Sequence, residues 1–329
     1  MHDAELIQTG TPEYRRLSIA MVMAGFSTFS LLYSAQPLLP EFTARFGVTA
    51  EAASLAVSLA IGPLAIGILI AGWIADRIGR RPVMIFSLAG AALFGSLAAL
   101  APNWETLLIL RCLSGIALSG VPAVAMAYVS EEVAPSAISP AMGLFIAGSA
   151  IGGMIGRLGA AIVAEWFGWR FGIGAIGLFS VAAALIFWTF APKSRGFSAR
   201  KHTLASFAAG YRKVLTDRAL LLLYLEAFLM MGAFVTVYNY IPFLLMAEPY
   251  RLGHAEIGAI FLLYILGSAS SAGFGRRAGK VGVRRTFWIP VVLLLLGVCA
   301  TAASPLWMIV AAIGVVTVGF FGAHAIASS

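Results

Sequence analysis

The chain has 329 residues, of which 60% are hydrophobic and only 11% charged, with a net charge of +8 and a mean hydropathy of +0.94. Water-soluble domains carry about 25% charged and about 45–50% apolar residues, so this composition excludes a soluble enzyme or binding module and predicts an all-helical integral membrane protein. The surplus of cations does not indicate nucleic acid, because they sit at the ends of apolar runs and not on a basic helix with interleaved aromatics.

Residues 1–16 are polar, and the first apolar run is already of spanning length, which is unlike a cleavable signal peptide. That run, 17–40, closes at Pro37 and Pro40 before Glu41. Runs 52–75 and 82–104 are free of charge, and about 20 apolar residues cross a bilayer core, so they form a membrane hairpin. A fourth span runs from about Thr106 to Ser130, interrupted by Arg111; a fifth reaches about Ala164 and contains Arg157. The sixth ends near Ala191-Pro192. Residues 193–218 then hold seven cations against the single acid Asp217 and divide the chain into two blocks, 1–192 and 219–329. The seventh span, about 219–246, carries Glu226, and the eighth is about 257–275. Residues 286–329 are one uncharged run, too long for one crossing, and Ser304-Pro305 breaks it into the ninth and tenth. Cys112 and Cys299 fall in apolar runs without C-x-x-C spacing and read as small packing residues.

Between the second and third spans lies Gly72-Trp-Ile-Ala-Asp76-Arg77-Ile-Gly79-Arg80-Arg81-Pro82. Four charges forbid a position deep in lipid. Gly72 suits close helix contact, Gly79 a tight turn, and Pro82 a helix start. Asp76 follows a helix C-terminus, where a carboxylate needs a partner, and Arg77, Arg80 and Arg81 are at hand. An ordinary positive loop would explain the arginines but not the Gly–Asp–Gly spacing. The pattern G-x-x-x-D-R-x-G-R-R resembles the loop between helices 2 and 3 of the major facilitator superfamily (MFS) of secondary transporters.

Placing the N-terminus in the cytoplasm puts 17 of the 22 Lys and Arg on the inside and only Arg45, Arg170 and Arg251 on the outside, as the positive-inside rule requires. An internal repeat accompanies this. A shift of 205 residues sets Tyr33 on Tyr238, Pro37 on Pro242 and Glu51 on Glu256; a shift of 203 sets Gly72 on Gly275, Gly79 on Gly282 and Arg81 on Arg284. The second loop is a worn copy of the first, with Gly279 where Asp76 stands. Two parallel halves related about the membrane normal are the plan of the family. The resemblance implies an MFS fold of two pseudo-symmetric halves, here six spans plus four of an expected six, with the last two of the family's twelve missing.

Ionisable groups within spans are expensive, about 2.5–3.5 kcal/mol each on insertion scales, and are functional suspects. Arg111, with Ser114 and Gly115, resembles the family's helix-four pattern R-x-x-q-G, which is implicated in proton coupling; Ser114 takes the place of Gln. Snorkelling to the nearer surface is the plain alternative for Arg111. Gly148, Gly152, Gly153, Gly156 and Arg157 resemble the antiporter pattern G-x-x-x-G-P-x-x-G-G, with Gly153 in place of proline and Arg157 in place of the last glycine. Simple close packing explains such small-residue spacing equally well, and Arg157 could attract an anionic group or snorkel outward. Glu226 could load and release a proton as its exposure changes, or pair with Arg218 or Arg212. Tyr33, Gln36, Tyr128, Tyr238, Asn239 and Tyr240 offer aromatic and amide groups to a substrate cavity, with an interfacial aromatic belt as the alternative. His324 reads as an interface residue.

No nucleotide loop, metal cluster or nucleophile triad occurs in the sequence, so neither an enzyme nor a cofactor is expected, only a proton gradient. The resemblance implies transport of a small-molecule substrate through the lipid bilayer of the bacterial inner membrane, as a monomer. The implied mechanism is proton-coupled efflux by alternating access, with Asp76 and its arginines latching a gate. The competing expectations are a truncated, non-transporting membrane protein and a symporter or facilitator of a sugar or organic anion.

Overall fold

The computed structural model describes residues 6–194 and 214–327. Ten helical segments in it are long and apolar enough to cross a membrane, and the described residues form no sheet, only an isolated bridge between Ile7 and Val133. By their packing the helices fall into two units, residues 1–202 with 253–258, and residues 203–252 with 259–329.

The first unit contains α1 (Pro12–Tyr33), α2 (Leu39–Phe46), α3 (Ala50–Ile78), α4 (Arg80–Ala98), α5 (Trp104–Leu118), α6 (Gly120–Glu132), α7 (Pro135–Phe167) and α8 (Trp169–Phe190). Local chemistry sets the starts. Thr11, Thr49 and Asn103 cap α1, α3 and α5 by accepting from the backbone N–H of Tyr14, Ala52 and Thr106, and Pro12 and Pro135 occupy first-turn positions where no N–H is missed.

Membrane helices associate through close packing more than through hydrophobic exclusion, so small residues at contacts decide which helices meet. The broadest contact joins α1 and α7. A Cβ on Gly148, Gly152 or Gly156 would collide with the backbone of Val22, Phe26 and Ser30 in turn, and one on Gly25 would collide with the Phe145 carbonyl. Both helices thus present residues at four-residue steps, one turn of each against one turn of the other. Gly115 seats α5 on α3 at the Ala60 carbonyl, and Gly177 seats α8 on α4 at Ser96. Large apolar side chains such as Ile66, Phe86, Trp166 and Leu178 point away from these contacts and are exposed, as suits a surface covered by lipid chains.

The second unit holds α9 (Arg218–Met246), α11 (Tyr264–Val281), α12 (Val283–Ala300) and α13 (Leu306–Ala327). Helix α10 (His254–Ile260) leads into α11 through a turn of 3-10 helix at Phe261–Leu263, and its first residues belong with the first unit. Within the second unit α13 is central and touches α9, α11 and α12. Gly297 and Gly319 let α12 and α13 approach backbone to backbone. Phe234, Tyr238, Phe261, Tyr264, Phe320 and Phe321 form one aromatic cluster, and the Tyr238 hydroxyl lies 2.7 Å from Thr317 Oγ1.

Three spans differ from the sequence expectation. The first does not close at Pro37 and Pro40; it unwinds at Gln36–Leu38 and resumes as α2 up to Phe46. The fourth is broken at Ser119, where Pro122 removes the N–H that would bond the Leu118 carbonyl, and Ser119 N bonds Ile116 O instead. The break lies where Gly67 of α3 and Ser87 of α4 crowd in. The eighth is interrupted at Phe261–Leu263, with no proline or glycine in the turn to explain it. Gly72 is also not a close-contact residue: a Cβ there meets nothing within 4 Å. Most of the basic stretch 193–218 lies outside the described residues.

Candidate functional site

The α3–α4 turn draws a set of charges together. Gly79, at φ 99°, takes a backbone conformation that disfavours a side chain and lets the chain reverse at once from α3 into α4. Reversal places Asp76 and Arg80 on one side, 2.6 Å apart. The Arg80 guanidinium, 9% exposed, also reaches Glu131 at the end of α6 at 3.1 Å. Arg81 extends the other way and donates to the carbonyls of Ala191 (2.9 Å) and Trp188 (2.8 Å), at the cap and in the last turn of α8. These are orphan carbonyls at the negative end of a helix dipole, where a cation is favoured. The Arg77 guanidinium carbon sits over the Trp73 ring, 3.7 Å from its centre. One short turn therefore fixes the ends of α3, α4, α6 and α8.

Arg111 does not snorkel. It is 2% exposed and turns inward, donating Nε to Ala56 O (2.7 Å), Nη1 to Leu31 O (2.8 Å) and Nη2 to Leu32 O (2.6 Å). Leu31 and Leu32 lie in the last turn of α1, so this guanidinium satisfies carbonyls that the unwinding beyond Tyr33 leaves without helical donors. Ser114, at the glutamine position of the family pattern, is buried, and its hydroxyl makes no hydrogen bond among the described residues.

Arg157 is equally buried, at 2% exposure, and its surroundings are different. Its Nε donates to Gln36 Oε1 at 2.6 Å, its Nη1 donates to Gly153 O at 2.6 Å, and its guanidinium lies 3.9 Å from the centre of the Tyr33 ring. The break between α1 and α2 delivers Gln36, and the glycine contact of α7 on α1 delivers Arg157. Sequence pattern alone assigns Tyr33 and Gln36 to a cavity and Gly153 and Arg157 to the glycine-spaced helix; the fold makes them one constellation.

Other candidates stand elsewhere. Tyr128 is no cavity residue: it is fully buried in the core with Leu17, Met21 and Met84, and its hydroxyl donates to Pro192 O at 2.7 Å. Tyr238 and Asn239 are buried in the second unit, the former within the aromatic cluster, whereas Tyr240 is exposed beside Phe243. Glu226 is half-buried among exposed leucines of α9 and makes no ion pair with Arg218; Arg212 lies outside the described residues. His324 stacks on Phe320 with ring centroids 5.6 Å apart, so it belongs to the aromatic cluster. Two carboxylates escaped sequence reasoning. Glu131 is the second partner of Arg80, and Glu41 Oε1 accepts from the first backbone N–H of α8, at Trp169, at 3.0 Å. Acids just past a span, Glu41 singly and Glu131 beside Glu132, are the only signal the sequence carries for them.

Ten apolar spans, two helical units and a charged hairpin turn that recurs in the second unit define a helical membrane transporter. The chain belongs to the Major Facilitator Superfamily, whose family model matches residues 17–329. It is 38% identical over 323 residues to the uncharacterized MFS-type transporter YybF of Bacillus subtilis, covering 98% of this chain and 80% of that one. It is 41% identical over 278 residues to the inner membrane transport protein YnfM of Escherichia coli, covering 84% of this chain and 67% of YnfM. A solved bacterial homolog of the human lysosomal transporter Spinster shares the fold with a TM-score of 0.76 at 17% identity, over 97% of this chain and 75% of its own. Family and relatives are transporters, not enzymes, and need no cofactor.

Proposed function

We propose that this transporter exports a small organic solute across the bacterial inner membrane in exchange for protons, by alternating access, with its N-terminus in the cytoplasm. The observation that carries the antiport reading is the seating of α7 on α1 through Gly148, Gly152 and Gly156, the retained part of the antiporter-like pattern. In the same reading the chain acts as a monomer of two halves, 1–192 and 219–329, joined by the cytoplasmic stretch 193–218. The Asp76–Arg80–Glu131 set serves the gate, together with Gly72, Arg77, Gly79 and Arg81. Arg111 holds the end of α1 for coupling, and Glu226 is the proton carrier. Glu226 suits that role because it sits part-way into α9 at intermediate exposure, where a modest change of surroundings changes the cost of its charge.

The test is substrate-dependent proton movement in proteoliposomes. Antiport gives a pH change of opposite sign to symport when the same solute is added. Glu226→Gln is expected to abolish pH-driven uptake while leaving solute binding intact; coupled transport at the normal rate in that variant rules the assignment out. Labelling of cysteines placed in 193–218 from the periplasmic side would overturn the orientation.

A further inference from the structure

We propose that the groove between α4, α7 and α8 seats one acyl chain of an anionic glycerophospholipid, with the lipid phosphate resting on Arg170. The proposal needs only that these helices span a bilayer, and it is independent of what the transporter carries.

The ends of α4 and α7 and the start of α8 meet in the first unit around a cavity of about 750 Å³. Small residues give it its depth. Arg170 Nη2 donates to Ala101 O at 2.8 Å, a Cβ on Gly174 would stand 3.4 Å from the Ala99 methyl, and one on Gly177 would collide with Ser96. Helix α8 thus lies low against α4, while Leu100, Phe167, Phe171 and Leu178 rise around the seam and are strongly exposed. Apart from Arg170 and Ser96 the lining is apolar. From Arg170 to Leu178 the groove follows α8 for about 12 Å, close to the roughly 15 Å of hydrocarbon in one leaflet. Water would find too few polar partners there. A recess of this shape in a lipid-facing surface suits an acyl chain.

The rim decides the headgroup. The Arg170 guanidinium is held in place by Ala101 O and by the Trp169 ring, whose centre lies 4.4 Å away. Trp169 packs with Phe42 and Phe46, and both of these meet Trp104, an aromatic cluster of the kind found at a membrane–water interface. The cation therefore stands at headgroup level with the apolar groove running down from it. Glu41, which accepts from Trp169 N, turns its other oxygen toward His254 Nε2 at 3.7 Å, and among the described residues Arg170 takes part in no ion pair. The bond to Ala101 leaves guanidinium N–H groups for a phosphate, whose geometry the planar fork matches. A zwitterionic headgroup brings its own cation to that rim and an anionic one does not, so charge complementarity favours the anionic lipid.

The full chain, delipidated in a neutral detergent, is titrated with phosphatidylglycerol, phosphatidylethanolamine and diacylglycerol of matched chains, and the rise in Tm above each variant's own lipid-free value is read. Phosphatidylglycerol is expected to reach half its effect at a mole fraction about fivefold below phosphatidylethanolamine, the factor one cation contributes toward an anionic lipid. In Arg170→Gln the two phospholipids should act alike, and in Arg170→Lys, which keeps charge but not the fork, part of the preference should survive. Gly174→Leu, which puts a side chain into the groove and leaves Arg170 in place, should weaken all three lipids. Replacing Arg15 and Arg16, exposed cations at the start of α1, by Gln should leave the preference intact. Equal action of the two phospholipids on the wild type, or an undiminished preference in a folded Arg170→Gln chain, would overturn the proposal. So would unchanged protection in Gly174→Leu, loss of the preference on replacing Arg15 and Arg16, or equal protection by soluble glycerol phosphate. A wild-type dimer that Gly174→Leu splits, with no change in the action of lipid, would make the groove a contact between copies and end the lipid reading as well.

Discussion

The turns between α3 and α4 and between α11 and α12 share a backbone and differ in charge. Gly79 has φ 99° and ψ 155°, and Gly282, 203 residues later, has φ 95° and ψ 146°. Each donates its N–H to the carbonyl four residues back, Ala75 or Ala278, at 3.0 and 2.9 Å. Yet the first turn carries the Asp76–Arg80–Glu131 set and the Arg81 clamp on α8, while in the second Gly279 replaces Asp76, and Arg276, Arg277, Arg284 and Arg285 are all exposed. A membrane hairpin therefore needs only a glycine able to take the unusual backbone. The charges are a separable layer, and in the first unit that layer binds neighbouring helices together.

The comparison breaks most sharply at Arg80. Removing its side chain strands two partly buried carboxylates, so Arg80→Ala is expected to destabilise the purified protein by about 2–3 kcal/mol, less than a fully buried pair because Asp76 and Glu131 are 23% and 24% exposed. Arg284→Ala, at an exposed position in the second turn, should change stability by less than about 0.5 kcal/mol. Thermal unfolding in detergent measures both. Equal losses would mean that the second turn holds its unit as firmly as the first.

The backbone half of the comparison is tested by Gly79→Val and Gly282→Val. Both glycines occupy a region essentially closed to side chains, so each change should cost about 1–3 kcal/mol, and the two costs should agree. A valine tolerated at one site and not at the other would show that the matched angles arise from different constraints.

Those angles mark what was legible in the sequence and what was not. Spans, hairpins and the repeat are carried by apolar runs and by glycines a few residues from the charges they serve, and such local patterns survive without a fold. The α1–α7 contact was half legible: glycine spacing announced a close approach but not its partner. Illegible were links between distant residues, Arg80 with Glu131, Arg157 with Gln36 and Tyr128 with Pro192, because no local period records a tertiary neighbour. Tyr128 shows the cost of that blindness. As an aromatic in a span it looked like a cavity residue, and packing made it a core residue that fixes the end of α8. Arg111 was undecided for the same reason, since its direction depends on carbonyls of α1 and α3 that only the assembled unit presents.

The smallest expected effect is the most discriminating. Shifted by 203 residues, Asp76 falls on Gly279 and Arg80 on Val283, so Gly279→Asp together with Val283→Arg rebuilds the ion pair of the first turn in the second. Gly279→Asp alone sets a carboxylate in the last turn of α11, against the helix dipole, and offsets that with a slightly better helix propensity than glycine, for a net change within about 0.5 kcal/mol. Adding Val283→Arg supplies the i, i+4 partner, but both positions are exposed and among the described residues nothing there plays the part of Glu131, so the coupling energy from the double-mutant cycle should not exceed about 0.5 kcal/mol. A coupling as large as the loss in Arg80→Ala would mean that the Asp–Arg pair itself holds the first turn. A small one assigns that work to burial and to the third charge, Glu131, contributed by α6.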